Sequence, residues 1–345
     1  MALYTTLVRP LLFRVASERA HKLGDIALRL SILWRILSPL FDLRDDRLKT
    51  TLGSIDISNP VGLAAGFDKD CRMLTSLSSL GFGYVVGGTV VASSRSGNPK
   101  PRLFRNPKEH SLVNSLGFPS LGVDKVSYLL KKHTPSGTPL ILSISGLNES
   151  DFAYCFELLQ PLSDGIELNI SSPNTDGIRI FQSPSKLKVL LAELSPLKQK
   201  PVIMKLPPYF DDDQRDRIFD LIRISLEEGV EGFTVANTWP IQDNRLKVGH
   251  GGLSGQPLFE RTIAMVKEIR QQFGFDFVIN ACGGISSGAQ AIEALMVGAN
   301  TIQLYSGLIY QGPTLIRDIN RGILRFLDIN HLVDVSRLYE LKNSI

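Results

Sequence analysis

The stretch Gly165-Ile166-Glu167-Leu168-Asn169-Ile170-Ser171-Ser172-Pro173-Asn174-Thr175 begins as an apolar run and turns abruptly polar. Its first half reads as a short buried strand, and its second half as a turn whose backbone Pro173 restrains. Taken alone, such an Asn/Ser/Pro/Thr cluster is an Asx-type turn satisfying its own backbone. The pattern recurs, however. Runs at 61–65, 84–90, 140–145, 165–170, 202–205, 232–236, 277–281 and 301–305 are each followed by an amphipathic helical stretch. Eight strand-helix units over this length predict a (β/α)₈ TIM barrel rather than a doubly wound sheet.

In that fold the chemistry gathers at the C-terminal strand ends, and polar residues stand there on seven of the eight runs. Gly66-Phe67-Asp68-Lys69 follows the first, Thr89 ends the second, Asn169 follows the fourth and Lys205 ends the fifth. Asn237-Thr238, Gly283-Gly284 and Tyr305-Ser306 follow the last three. The long insertions at 91–119 and 238–255 are expected to lie over this rim. Cys282-Gly283-Gly284-Ile285-Ser286 and Tyr305-Ser306-Gly307 each open a helix, a pattern that offers free backbone N–H groups to a phosphate. A phosphorylated sugar and a flavin would satisfy it equally. Lys205 could hold either a substrate phosphate or the negative charge of a reduced flavin. No GxGxxG follows the first strand, which argues against a Rossmann nicotinamide site.

The chain has 345 residues, 43% hydrophobic and 21% charged, with a net charge of +4 and no long basic run, so nucleic acid is not an expected partner. Cys71, Cys155 and Cys282 are widely spaced, which argues against a disulfide framework or a zinc site and for a reducing compartment. No metal is expected. No apolar run reaches the ~20 residues that span a bilayer, and no signal-peptide pattern opens the chain. Residues 1–40 differ from the rest. An apolar segment at 8–16 precedes a longer one in which Leu23, Ala27, Leu30, Trp34 and Leu37 recur at helical spacing among Arg19, Lys22, Arg29 and Arg35. This predicts an amphipathic helical hairpin, with Ser17 capping its second helix and a linker through residue 47, followed by a barrel domain over 41–345.

The chain resembles the dihydroorotate dehydrogenases from Glu18-Arg19-Ala20-His21 to Leu304-Tyr305-Ser306-Gly307. The resemblance is carried by Asn59-Pro60 through Lys69, Gly97-Asn98-Pro99, Pro101 through Arg105, Asn114 through Phe118, the 169–175 stretch, and Gly251-Gly252-Leu253-Ser254-Gly255 with Pro257-Leu258. It implies FMN at the barrel mouth and oxidation of dihydroorotate to orotate. By the same resemblance FMN would be held by Ala64, Ala65, Gly66, Phe67, Asp68, Thr89, Ser143, Asn169, Lys205, Ala236, Gly255, Gly284, Tyr305 and Ser306. The pyrimidine would be held by Lys69, Asn114, Ser115, Leu116, Gly117, Phe118, Asn169, Asn174, Asn237 and Thr238. Ser172 would be the base and Thr175 its proton relay, a pairing that a poorly basic hydroxyl requires.

Ser172, in place of the Cys of the soluble forms, and the N-terminal hairpin both resemble the membrane-associated, quinone-using (class 2) form. That likeness implies peripheral attachment to the cytoplasmic side of the cell membrane through residues 1–40, with His21 and Arg105 near the quinone head. Some positions differ from that form: Ser143 stands where Asn is expected, Ala236 where Thr is, and Pro119 where Asn is. Lys205 through Phe210 and Ser145-Gly146-Leu147 are more like the soluble, fumarate-using form. Use of fumarate, or an FMN barrel acting on another reduced pyrimidine, are therefore the alternatives.

Overall fold

The computed structural model describes residues 3–132, 137–172 and 177–339. Eight parallel strands close into the expected barrel, in the order 232–235, 278–282, 301–304, 61–68, 84–91, 140–145, 165–169 and 202–205 around the ring. In chain order the strands are β1 (Thr50–Leu52), β2 (Ile55–Ile57), β3 (Val61–Asp68), β4 (Tyr84–Val91), β5 (Leu103–Asn106), β6 (Ser111–Asn114) and β7 (Leu140–Ser145). They continue with β8 (Gly165–Asn169), β9 (Val202–Lys205), β10 (Gly232–Val235), β11 (Trp239–Gln242), β12 (His250–Gly255), β13 (Val278–Cys282) and β14 (Thr301–Leu304). The helices are α1 (Arg9–Arg14), α2 (Ser17–Leu28), α3 (Ser31–Leu37), α4 (Leu74–Ser78), α5 (Val123–Lys131), α6 (Glu149–Leu159) and α7 (Pro184–Leu194). The remainder are α8 (Asp212–Glu227), α9 (Phe259–Phe273), α10 (Gly288–Met296), α11 (Ser306–Gln311) and α12 (Leu315–Ile329).

Two-residue periodicity sorts each barrel strand. Ile166 and Leu168 of β8 point outward into the main core, which they share with Phe152, Phe156, Leu190, Leu221 and Phe233. Glu167 and Asn169 face inward. At the N-terminal end the interior is apolar: Val86, Ile141, Ile203 and Val278 pack against Leu52 and Ile57 of the β1–β2 hairpin, which plugs the barrel. Tyr84 stands in the same layer, and only glycine fits opposite it. A Cβ on Gly62 would lie 2.2 Å from the Tyr84 ring.

The two insertions join one another. Residues from 103–114 and 239–255 form a four-stranded antiparallel sheet, β11-β12-β6-β5, across the C-terminal mouth. The N-terminal segment departs from a two-helix hairpin. A π turn (Tyr4–Val8) leads into α1, and the second predicted helix is broken at Arg29–Leu30 into α2 and α3. The Trp34 indole donates to Ala27 O at 2.8 Å and Leu30 leaves helical geometry, so the stripe from Leu23 to Leu37 is not one continuous face. Ser17 is the first residue of α2 rather than its cap; its Oγ accepts from Arg105 Nε at 3.2 Å.

Candidate active site

A cavity of about 1050 Å³, counted to its open end, lies at the C-terminal mouth of the barrel. Its wall takes Ala64, Ala65, Gly66 and Lys69 from the first barrel strand and its turn, Thr89 from β4, Asn169 and Ser172 from β8 and beyond, and Lys205 from β9. Ala236, Asn237, Thr238, Gly284, Tyr305 and Ser306 complete the ring, and the antiparallel sheet and its loops add Asn114, Leu116, Gly117, Phe118 and Gly255.

Several anticipated residues lie just behind this wall. Ser143 is buried and shares a 3.0 Å hydrogen bond with Thr89, which also accepts from Asn169 Nδ2 at 3.0 Å. Phe67 packs edge-on against Tyr305, with ring centroids 5.6 Å apart. The Asp68 carboxylate is turned away: it accepts from the N–H groups of Arg72 and Met73 at 2.8 and 2.7 Å, and so fixes the approach to α4. The N–H of Ser115 donates to Arg102 O at 2.9 Å, tying the substrate loop to the sheet. Asn174 and Thr175 lie outside the described residues.

The amides are held by their neighbours rather than left to rotate. Asn169 Oδ1 accepts from the Ser171 N–H and hydroxyl, while Asn237 Nδ2 donates to Ser171 Oγ at 2.8 Å. Ser171 thus braces both amides, and its neighbour in the chain, Ser172, is itself buried. Lys69 Nζ donates to Gly66 O at 2.5 Å. Burial pushes this ammonium down to about 8, with Asp70 opposing the shift and Arg102 reinforcing it. Lys205 is 5% exposed, and no acceptor among the described residues meets its ammonium. Burial works against its charge, but Cys282 and Glu167 outweigh burial and hold it above the ordinary lysine value.

The sequence does not mark Gln303 as a site residue, and Leu258, Ile285 and Ser254, though part of its motifs, take no site role from it; all four line the cavity. Gln303 alternates with Thr301 and Tyr305, a period-two signal hidden inside a run read as apolar. Ser254 bonds Ser306 at 2.9 Å and so ties the sheet to α11. His21, on α2, lies within electrostatic reach of Lys69. Arg105 is occupied by α1: it donates to Leu12 O at 2.9 Å and to Val15 O, and its guanidinium lies 4.5 Å over Phe13.

A flavin fits this donor set. A buried ammonium and a buried Gln303 Oε1, both without a partner among the described residues, together with fixed amides suit a flat ring with imide edges. The fold and site define a flavin-dependent barrel oxidoreductase. The family profile for dihydroorotate dehydrogenase matches residues 47–327. The chain is 36% identical over 341 residues to the dihydroorotate dehydrogenase (quinone) of Roseiflexus sp. (strain RS-1), covering 93% of each. It is 36% identical over 341 residues to that of Natronomonas pharaonis, covering 95% of this chain and 96% of the relative. A crystal structure of DHODH in complex with ferulenol from Eimeria tenella superposes with a TM-score of 0.81 at 28% identity, covering 94% of this chain and 95% of that one. The chain belongs to the dihydroorotate dehydrogenase family.

Proposed function

We propose that the chain oxidises dihydroorotate to orotate on a bound FMN and passes the electrons to a quinone, as the redox step of pyrimidine synthesis. One observation carries the reading: Ser172, Lys69, Lys205 and the amides of Asn114, Asn169 and Asn237 face a single cavity. FMN, when bound, supplies the two-electron acceptor. Lys69 holds the substrate carboxylate, and the three amides hold the imide edge with paired donors and acceptors. Ser172 takes the C5 proton as the C6–H bond is broken, and a relay through Thr175 carries that proton to water. Lys205 compensates the negative charge that reduction brings, in a site dry enough for one charge to matter.

Residues 1–40 act as the membrane and quinone-access unit, and 41–345 as the FMN barrel. Leu3, Leu11, Ile32 and Ile36 are 71%, 62%, 70% and 70% exposed, so the segment shows apolar side chains to the outside. No helix among the described residues is long and apolar enough to cross a membrane. Such a segment suits the interfacial plane on the cytoplasmic side, with basic residues toward the headgroups. His21 and Arg105 border the quinone path.

The test of the chemistry is Ser172→Ala in anaerobic stopped-flow. Flavin reduction by dihydroorotate should slow by about 10²- to 10⁴-fold with orotate affinity nearly unchanged, because only proton transfer is lost. Reduction at the parent rate would leave Ser172 as turn structure.

A further inference from the structure

Between the apolar floor and the cavity, the barrel interior carries a chain of polar groups. Glu167 is 1% exposed, and its Oε2 accepts from Thr234 Oγ1 at 2.8 Å. Thr234 Oγ1 accepts in turn from Asn280 Nδ2 at 3.3 Å, Thr301 Oγ1 donates to Asn280 Oδ1 at 2.6 Å, and Tyr84 OH joins Thr301 at 2.7 Å. The second carboxylate oxygen, Oε1, has no donor among the described residues. A carboxylate placed so deep is costly unless a cation compensates it.

A cation within electrostatic reach of it is Lys205. On neighbouring strands Glu167 lies opposite Ile203, so Lys205 stands one inward step further toward the mouth. Lys205 stands opposite Asn169 on β8 and Thr234 on β10, with Cys282 and Glu167 within electrostatic reach and Tyr305 and Lys69 further round the same wall. Burial pushes the Cys282 thiol up while Lys205 pulls it down, so Cys282 and Glu167 are both acidic groups that act on Lys205.

We propose that Glu167 is a positioning residue, the buried counter-charge of Lys205, and that the pair rather than the lysine alone sets the reduction potential of the bound flavin. The proposal rests on the reading above that Lys205 faces the flavin. Glu167 keeps Lys205 cationic and at the same time offsets part of its attraction for the negative charge of the reduced ring. The balance depends on this chain's own inward residues, none of which need touch the substrate.

Glu167→Gln keeps the shape and the acceptor for Thr234 while removing the charge. At pH 6.5, near the acid end of the range where a lysine keeps its proton most readily, reduced flavin should gain about tenfold in affinity relative to oxidised flavin, a rise of ~30 mV for a two-electron couple. At higher pH, once burial strips the uncompensated Lys205 of its proton, the gain should disappear and the potential-against-pH line should break, as the parent's does not. Spectroelectrochemical titration of the flavin-loaded protein from pH 6 to 9.5 reads both. In a Lys205→Met background the break should vanish. Should Glu167→Gln fail to fold, Glu167→Asp, which withdraws the charge by one methylene, should shift the potential the same way by less. A parent-like potential at pH 6.5, or a break that survives in the Lys205→Met background, overturns the proposal. A purified parent protein that holds no flavin refutes the cofactor reading itself, which is a separate outcome.

Discussion

Binding of the product orotate should weaken as pH rises through 8, and the size of the effect follows from Lys69. Its ammonium lies in the cavity wall, donates to Gly66 O, and is pushed down to about 8 by burial. A bound carboxylate favours the charged form, so affinity is full where Lys69 is protonated before binding and falls where a proton must first be taken up. With a value of about 8, the apparent dissociation constant should stand ~2-fold above its low-pH value at pH 8 and ~11-fold above it at pH 9. The loss is bounded by the worth of one hydrogen bond to a charged group, about 1.5–3 kcal/mol, or roughly 10- to 150-fold. Lys69→Met should lose that amount at pH 7 and show no dependence between pH 7 and 9. Titration of the oxidised, flavin-loaded protein with orotate at constant ionic strength, followed by flavin absorbance, measures both curves. A parent profile flat to pH 9, or one that Lys69→Met reproduces, would refute the assignment of Lys69 to the carboxylate.

Two further outcomes are expected. Gly284→Ala should destabilise the protein by about 2–5 kcal/mol in denaturant unfolding, since its φ of +76° disfavours a side chain and a Cβ would lie 2.4 Å from Phe259 N; a loss under ~0.5 kcal/mol would show that the α9 backbone yields. Replacing Leu11, Ile32 and Ile36 by Glu should leave flavin reduction by dihydroorotate intact, because these side chains are exposed, while vesicle association and turnover with a long-chain quinone fall at least tenfold. Parent-like binding and turnover in that triple variant would show the segment to be packing only.

The barrel was legible because each strand announces itself locally, as an apolar run of strand length followed by a helical period. The rim was legible because strand ends interrupt those runs with Asn, Lys and Gly. What escaped was non-local or masked by neighbours. Gln303 hid between Ile302 and Leu304, whose outward burial dominates the run. The break at Arg29–Leu30 depends on the Trp34 indole reaching a carbonyl seven residues back, which helical periodicity does not encode. The resemblance places Arg105 near the quinone head but does not reveal its partners, which are carbonyls at Leu12 and Val15, ninety or more residues away in the chain. Asp68 is expected at the flavin by the resemblance and by its place after the first strand, but two backbone N–H groups claim its carboxylate.

The sheet formed by β5, β6, β11 and β12 makes two insertions, some 130 residues apart in the chain, into one object: Asn114 pairs with Gly252 and Ser111 with Gly255. Neither loop can change length without disturbing the register of the other, and both supply cavity wall. Transplanting one of them from a relative would leave a row of unpaired strand groups beside the active site and shift Asn114 relative to Gly255. Chimaeras meant to alter substrate preference must therefore exchange 103–114 and 239–255 together, and lineages that remodelled this roof are expected to show compensating changes in both segments.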